Sequence, residues 1–462
     1  KTAGRTSMNI RHRNRWKKLR YVYMNWNWIF RAVWMLCLVR NDMSREMKDS
    51  GVEWLGEIPK GWNVKKGKAL YSITTGKLDA NAEEPTGIYP FFTCSMFPKK
   101  INQYAFDCEA LLVAGNGVVG FTQYYKGKFN AYQRTYVLSD FHNIYPLFLK
   151  YYVSNNLKRE VEQSSVGSVI QFIKLGDLQN FNIAFPEYKE QEKITEYLEM
   201  KCQKIDHIIE KTKSSIVEYK KFKQSIITKA VTQGISNEQA LKESGVAWIG
   251  NIPESWKFTQ LRHCVSIRSG ITLGKKYSKD IKLIEIPYLR VANVQDGYVD
   301  TNDIAVLRVS KDEIEKYSLS AGEVLMTEGG DRDKLGRGCV WDGRIAPCLH
   351  QNHIFAVKVK EKLLNPYYLE YLTVSAVGRT YFDVTAVKTT NLACTSSSKV
   401  LAFTIPLPSL DEQNEIVSYL KEKCNYIDDV ITKKEQFVNE LENYKKSLIY
   451  EYVTGKKEVP EP

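Results

Sequence analysis

One unusual stretch occurs twice in this chain. Residues 49–62 read DSGVEWLGEIPKGW and residues 243–256 read ESGVAWIGNIPESW, with Ser, Gly, Val, Trp, Gly, Ile, Pro and Trp at matching places. Composition bias does not produce such agreement, so the chain is a tandem duplication and its fold must hold two related halves. A second matched pair follows: FPEYKEQEKITEYLEMKCQKIDHIIEKTKSSIVEYKKFKQSIITKAVT (185–232) and LPSLDEQNEIVSYLKEKCNYIDDVITKKEQFVNELENYKKSLIYEYVT (407–454). The offset has grown by 28 residues, so the two regions in between differ in length. Inside them YPLFLKYYVS (145–154) echoes NPYYLEYLTVS (365–375), each expected to open a short helix with Pro in its first turn.

The matched segments predict long helices. Steps of seven residues through the first connect Leu198, Ile205, Thr212, Tyr219 and Ile226, with Ile194, Lys201, Ile208, Ser215 and Phe222 on a neighbouring line. The second copy gives Leu420, Ile427, Lys434, Leu441 and Leu448, then Ile416, Lys423, Val430, Phe437 and Tyr444. Mostly apolar a and d positions with charged flanks predict a coiled coil, the helix-pairing seam being Leu198, Ile205, Ile208, Tyr219, Phe222, Leu420, Ile427, Val430, Leu441 and Tyr444. The small centre at Thr212 and Ser215 leaves room for Phe437 and Lys434. Two independent surface helices are the alternative.

Connectivity gives this pair a direction. The first helix leads into the second variable region and the second begins where that region ends, so two compact regions require the helices to run antiparallel, related by a pseudo-two-fold axis. About 40 residues at ~1.5 Å each make a rod on the order of 60 Å long. The expected organisation is a basic extension at 1–46, a variable domain at 47–185, a spacer helix at 186–233, a linker and second variable domain at 234–407, a second spacer helix at 408–455 and a tail at 456–462.

The variable domains alternate apolar and polar residues, as in ALLVAGNGVVGFTQYY (110–125), FNAYQRTYVLS (129–139), EVLMTEGGDRDKLGRGCVWDG (323–343) and QNHIFAVKVK (351–360). Period-two patterning punctuated by Gly-Asn-Gly and Gly-Gly-Asp predicts strands joined by tight turns, and with a helix near each domain's end the class is α+β. Polar side chains decorate those turns: Asn116, Gln133 and Arg134 in the first domain, and Glu328, Asp331, Asp333, Lys334, Arg337, Gln351, Asn352 and His353 in the second. Asn, Gln and Arg carry paired donors and acceptors that fit base edges, and Lys or Arg holds phosphates. The same residues also suit plain structural duty, Asn116, Gly117, Gly329 and Gly330 building turns and Gln133 satisfying a backbone group.

Charge adds little to that reading. The net charge is +13, but residues 1–42 hold ten Lys or Arg against one Asp, leaving only +4 on the remaining 420 residues. Within that leader, YVYMNWNWIFRAVWMLCLV (21–39) approaches the length of a membrane span, yet Asn25, Asn27 and Arg31 are costly in hydrocarbon. The leader is expected to be an upstream extension before Met43 and Met47, with no membrane partner. Nine Cys without a C-x-x-C pair predict thiols in a reducing cytoplasm. Cys348, His350 and His353 lack the second pair that a closed zinc site needs, so no metal is expected.

No G-x-x-x-x-G-K-[ST] loop occurs, and NPYY at 365–368 falls at a helix start, not in a methyltransferase loop. Neither paired carboxylates with a lysine in nuclease spacing nor a nucleophile with an oriented base is found. The chain is expected to read and not to cut, with no catalytic residues of its own.

Together these motifs resemble the specificity subunits of type I restriction-modification enzymes. SGVEWLGEIPKGW and SGVAWIGNIPESW resemble that family's domain-opening signature, and LPSLDEQNEIVSYL and FPEYKEQEKITEYL the start of its helices. VAGNGVVG with GKFNAYQRTYVL, and TEGGDRDKLGRG with HQNHIF, resemble two kinds of target recognition domain. The resemblance covers residues 47 to about 455 and implies two tandem target recognition domains separated by two long helices that pair as an antiparallel coiled coil. It implies that each domain reads one half of a bipartite site in double-stranded DNA, that two methyltransferase subunits dock on the helices, and that restriction and translocase subunits complete the complex. S-adenosylmethionine, ATP and Mg2+ then belong to those partners, and this chain binds none. A coiled-coil scaffold without DNA reading is the alternative function.

Overall fold

The strand Phe106–Ala114 carries the first half's architecture. Ala110 and Leu112 join a cluster with Phe92, Phe129 and Val137, while Leu111 and Val113 point to the opposite face and are also buried. Burial on both faces explains why its second half reads as a continuous apolar run. A computed structural model places it at the centre of a mixed α/β fold and describes residues 45–164, 172–236, 239–330, 335–388 and 393–461. Most of the basic leader, with residues 21–39 and Cys37, lies outside the described residues, as do Asp331, Asp333 and Lys334. The chain divides into two compact units: one runs to Ile209 and resumes at Asn439, and the other is Glu210–Val438.

In the first unit, a six-stranded sheet runs in the order Ser72–Thr75, Thr135–Ser139, Phe106–Ala114, Thr122–Ala131, Tyr89–Phe92 and Lys99–Ile101. Helix α1 (Pro146–Ser164) packs on its two longest strands, and α2 (Leu175–Asn180) follows. Two ribbons close the unit. Met47–Asp49 pairs with Glu57–Pro59 inside the repeated stretch, and Asn63–Lys66 pairs with Asn182–Phe185, joining the domain's beginning to its end. Trp62 is buried, whereas Trp54 is half-buried against Tyr152 and Phe181 and bonds Glu160.

Helix α3 follows as one element, Tyr188–Gln233. In the second unit, the order Val265–Ser269, Ile354–Val359, Val324–Thr327, Gly338–Val340 repeats the first four strands of the six-stranded sheet. Ala305–Val309, Ile284–Leu289 and Leu349–His350 form a separate three-stranded sheet. The ribbons recur as Leu241–Glu243 with Asn251–Pro253 and Lys257–Gln260 with Thr404–Leu407. Helices α4 (Lys311–Tyr317), α5 (Pro366–Val374), α6 (Ala376–Thr385) and α7 (Ser397–Ala402) precede α8 (Leu410–Val453). Asn365 caps α5 by accepting from Tyr367 N and Tyr368 N, with Pro366 at the first position, where its missing N–H costs nothing.

The division between units falls inside both long helices, and each unit contains contacts between them. In the first, Lys445 Nζ reaches Asp206 at 2.6 Å and the rings of Tyr197 and Tyr452 lie 4.8 Å apart. In the second, Lys223 pairs with Asp428 at 2.7 Å and Lys220 with Glu435 at 3.4 Å, around a cluster of Ile216, Ile427 and Ile431. Lys434 is buried with its ammonium 5.5 Å from the Tyr219 ring, and burial pushes it down to about 8. The buried track of α3 passes through Leu198, Cys202, Ile205, Ile209, Thr212 and Ile216. One heptad line therefore lies a residue beyond the expected Lys201, Ile208 and Ser215. The displaced line keeps its seven-residue step through Cys202, Ile209 and Ile216, so the heptad repeat holds and only the placing of its second line changes. Ile208, Tyr219, Phe222 and Tyr444 are half-buried, while Leu198, Ile205, Leu420, Ile427, Val430 and Leu441 are buried.

Two buried glutamines anchor the starts of these helices in the same way. Gln191 accepts from Tyr145 N at 2.7 Å and donates to Asn143 O and Pro186 O. Gln413 accepts from Asn365 N at 2.9 Å and donates to Leu363 O and Pro408 O. Each side chain thereby binds its helix to the loop that opens α1 or α5.

Candidate nucleic-acid interface

Each unit builds a polar tip by one recipe. In the first, the chain turns between Ala131 and Thr135: Tyr132 N donates to Phe92 O, Gln133 N to Leu78 O, both at 2.9 Å, and Thr135 N to Tyr132 O at 2.8 Å. In the second, Gln351 N donates to Leu289 O at 2.9 Å, Asn352 N to Ile271 O at 3.1 Å and Ile354 N to Gln351 O at 2.8 Å. The bridging strand approaches so closely that only glycine fits beside it. A Cβ on Gly76 would stand 1.8 Å from Ala131 O, and one on Gly270 1.9 Å from His350 O. These bonds make Gln133 the counterpart of Asn352, and Arg134 the counterpart of His353.

A second loop meets each tip. Gly115 N donates to Arg134 O at 3.0 Å and Gly115 O accepts from Ile173 N at 2.7 Å, which brings the loop carrying Asn116 beside Arg134. Correspondingly, Glu328 N donates to His353 O at 2.9 Å and Glu328 O accepts from Thr395 N at 2.7 Å. The side chains differ where the backbones agree. Glu328 Oε2 lies 2.6 Å from His353 Nδ1, an exposed acid–imidazole pair. A carboxylate at Nδ1 fixes the ring's tautomer and leaves Nε2 for another partner.

The structure thus brings together Asn116, Gln133 and Arg134 in one unit, and Glu328, Gln351, Asn352 and His353 in the other. Gln133 and Arg134 are exposed, the Gln133 amide donating to Asp79 at 2.8 Å. Gln351 performs structural duty instead, accepting from Val291 N at 3.2 Å. Arg337 is buried and donates to Gln295 Oε1 at 3.2 Å, bracing the wall behind the tip. Behind it too, His350 is fully buried, and burial, then the nearby Arg268 charge, push it down to about 4. Among the described residues no group of three or more His, Cys, Asp or Glu could hold a metal, and no helix is long and apolar enough to cross a membrane.

Acceptors, amide groups and a guanidinium on hairpin ends suit the edges of base pairs, and among the described residues of these tips no nucleophile–base dyad forms. Sequence reasoning missed the paired glutamines Gln191 and Gln413 and the role of Gly76 and Gly270. The Glu-Gln pair present in both KEQEKI and DEQNEI was the available signal.

The family model described as the type I restriction modification DNA specificity domain matches the chain twice, over residues 59–239 and 253–443. Over 243 residues the chain is 31% identical to the EcoDI type I restriction enzyme specificity subunit of Escherichia coli, covering 49% of this chain and 54% of that protein. It is 24% identical over 325 residues to the EcoKI specificity subunit of Escherichia coli strain K12, covering 68% and 66%. The chain therefore spans about half the length of the first relative and about two thirds of the second. Among solved structures, a chain from work on complex assembly and conformational transition of the type I R-M system superposes with a TM-score of 0.65 at 14% identity, covering 87% of this chain and 99% of that one. That is a likeness of fold.

Proposed function

Since the chain belongs to the type I restriction-modification DNA specificity family and carries two copies of its domain, we propose that it is the sequence-reading subunit of a cytoplasmic type I system. Each recognition domain reads one half of a bipartite site in double-stranded DNA. The observation that carries this reading is the pair of tips with equal backbones and unequal side chains, Gln133–Arg134 and Asn352–His353. Equal backbones present side chains to a groove in one geometry, and unequal side chains select different bases.

The long helices set the distance between the half-sites and dock two methyltransferase subunits. Supporting an antiparallel coiled coil, partner numbers in each unit run in opposite senses, Tyr197 with Tyr452 and Asp206 with Lys445, then Lys220 with Glu435 and Lys223 with Asp428. Methyl transfer from S-adenosylmethionine, and ATP-driven translocation with Mg2+, belong to the methyltransferase and restriction subunits. This chain supplies the address.

The test is methylome sequencing of cells with the methyltransferase gene, with and without this chain. A split motif with methylated adenines that appears only with the chain supports the reading. Methylation without a shared motif leaves the scaffold alternative and rejects it.

A further inference from the structure

The loop next to each tip ends in an exposed aromatic side chain that base-edge reading does not use. In the first unit the loop is residues 93–98, TCSMFP, following the strand whose last carbonyl, Phe92 O, accepts from the tip at Tyr132 N. Phe97 is 80% exposed and Met96 58%. The loop is nevertheless fixed at several points. Ser95 Oγ donates to Phe97 O at 2.8 Å, Gln123 Nε2 donates to Ser95 O at 3.2 Å, and Cys94 Sγ donates to the reading residue's carbonyl, Arg134 O, at 3.3 Å.

The second unit has a different loop at the same place. It follows Leu289, whose carbonyl accepts from Gln351 N, and it folds into the ribbon Val294–Gln295 with Tyr298–Val299. Val299 turns into the core, so its neighbour Tyr298 turns outward and is 58% exposed. This ribbon is braced as firmly: Gln295 Oε1 accepts from Arg337, and Arg379 pairs with Asp296 at 2.8 Å. A single exposed aromatic is ordinary on a protein surface. Phe97 and Tyr298 stand on loops unlike in sequence but alike in position, and each loop is tied by hydrogen bonds to the frame of a reading tip.

We infer that Phe97 and Tyr298 are paired wedges, one per recognition domain, that insert against a base step beside each half-site and unstack it. This deepens the reading of the chain as a DNA-specificity subunit and rests on it. An apolar ring held rigidly beside polar readers can enter between base pairs, and the unstacking is offset by ring–base contact and by the bend it allows. Stacking is tolerant of sequence, because every base has a π-face, so the wedges add affinity and distortion without adding letters to the motif.

The experiment uses the full chain in complex with its methyltransferase subunits and duplexes carrying the motif found by methylome sequencing, with 2-aminopurine stepped through and beside both half-sites. The parent complex should show one unstacked step per half-site besides the target base. Phe97→Ala should remove that signal at one half-site and Tyr298→Ala at the other, each weakening binding about tenfold, with the methylated motif unchanged. Phe97→Trp and Tyr298→Phe should retain both. Unaltered fluorescence and affinity in both alanine variants would overturn the wedges while leaving the functional reading intact, and a change in motif letters would make these residues base readers and overturn them too. A parent complex that selects no motif would remove the functional reading and the wedges with it.

Discussion

Trp256 Nε1 donates to Glu412 Oε2 at 3.0 Å, tying the second repeated stretch to the start of helix α8. The matching indole of the first copy, Trp62, is equally buried but has no hydrogen-bond partner among the described residues, because the matching carboxylate, Glu190, lies 2.9 Å from the Arg45 guanidinium instead. Trp256→Phe breaks a charge-assisted bond and Trp62→Phe breaks none. The first should destabilise its unit by about 1–2 kcal/mol more than the second, read by hydrogen exchange resolved to each unit.

Gln191 and Gln413 are fully buried, and each satisfies one backbone N–H and two carbonyls. Replacing either with Leu keeps the volume and orphans all three groups. The expected loss is on the order of 3 kcal/mol in the unit concerned, measured by urea unfolding, with Gln191→Leu and Gln413→Leu similar in size.

His350 gives the second unit an acid limit. A free imidazole protonates near 6.5, and burial lowers this ring to about 4. The unfolded chain takes the proton first, so the stability from the neutral ring is complete above pH 6.5 and is lost as pH falls from 6.5 towards 4. The loss amounts to at most about 3 kcal/mol. Unfolding measured across that range should decline in the parent, and the decline should be shallower in His350→Leu.

The tips predict half-specific effects. Gln133→Ala should relax selectivity in one half of the methylated motif, and Asn352→Ala in the other, each by roughly 1–3 kcal/mol of discrimination. Sequencing the motifs methylated by each variant checks this; relaxation of both halves by one substitution would contradict it.

The helices, as spacers, predict a further change. One heptad inserted into both α3 and α8 should lengthen the unread gap of the motif, because each residue adds ~1.5 Å. An unchanged gap would reject that role.

Much of the fold was legible because duplication prints its signature twice. The helices announced themselves by matched apolar lines, and Trp62 and Trp256 by the repeated stretch. Trp54 and Trp248 belong to the same repeated stretch but are half-buried, Trp248 resting on Tyr381, since a shared motif position does not reveal how much neighbours cover. Periodicity also hides buried polar residues: Gln191 and Gln413 fall among charged neighbours, and the backbone groups they satisfy come from loops distant in sequence. Arg337 stood among the candidate fingertips, yet it is buried and donates to Gln295. At the tips, the sequence identified Gln133, Arg134, Asn352 and His353 as candidates. Their equivalence depends on hydrogen bonds to Leu78 and Ile271, far away in the chain.

The most direct test of paired, independent readers is an exchange of residues 243–407 for the matching region of another family member, followed by sequencing of the methylated motif in vivo. The account predicts that one half of the motif is replaced and the other is retained letter for letter. A motif that stays whole, or one in which both halves change, would contradict it.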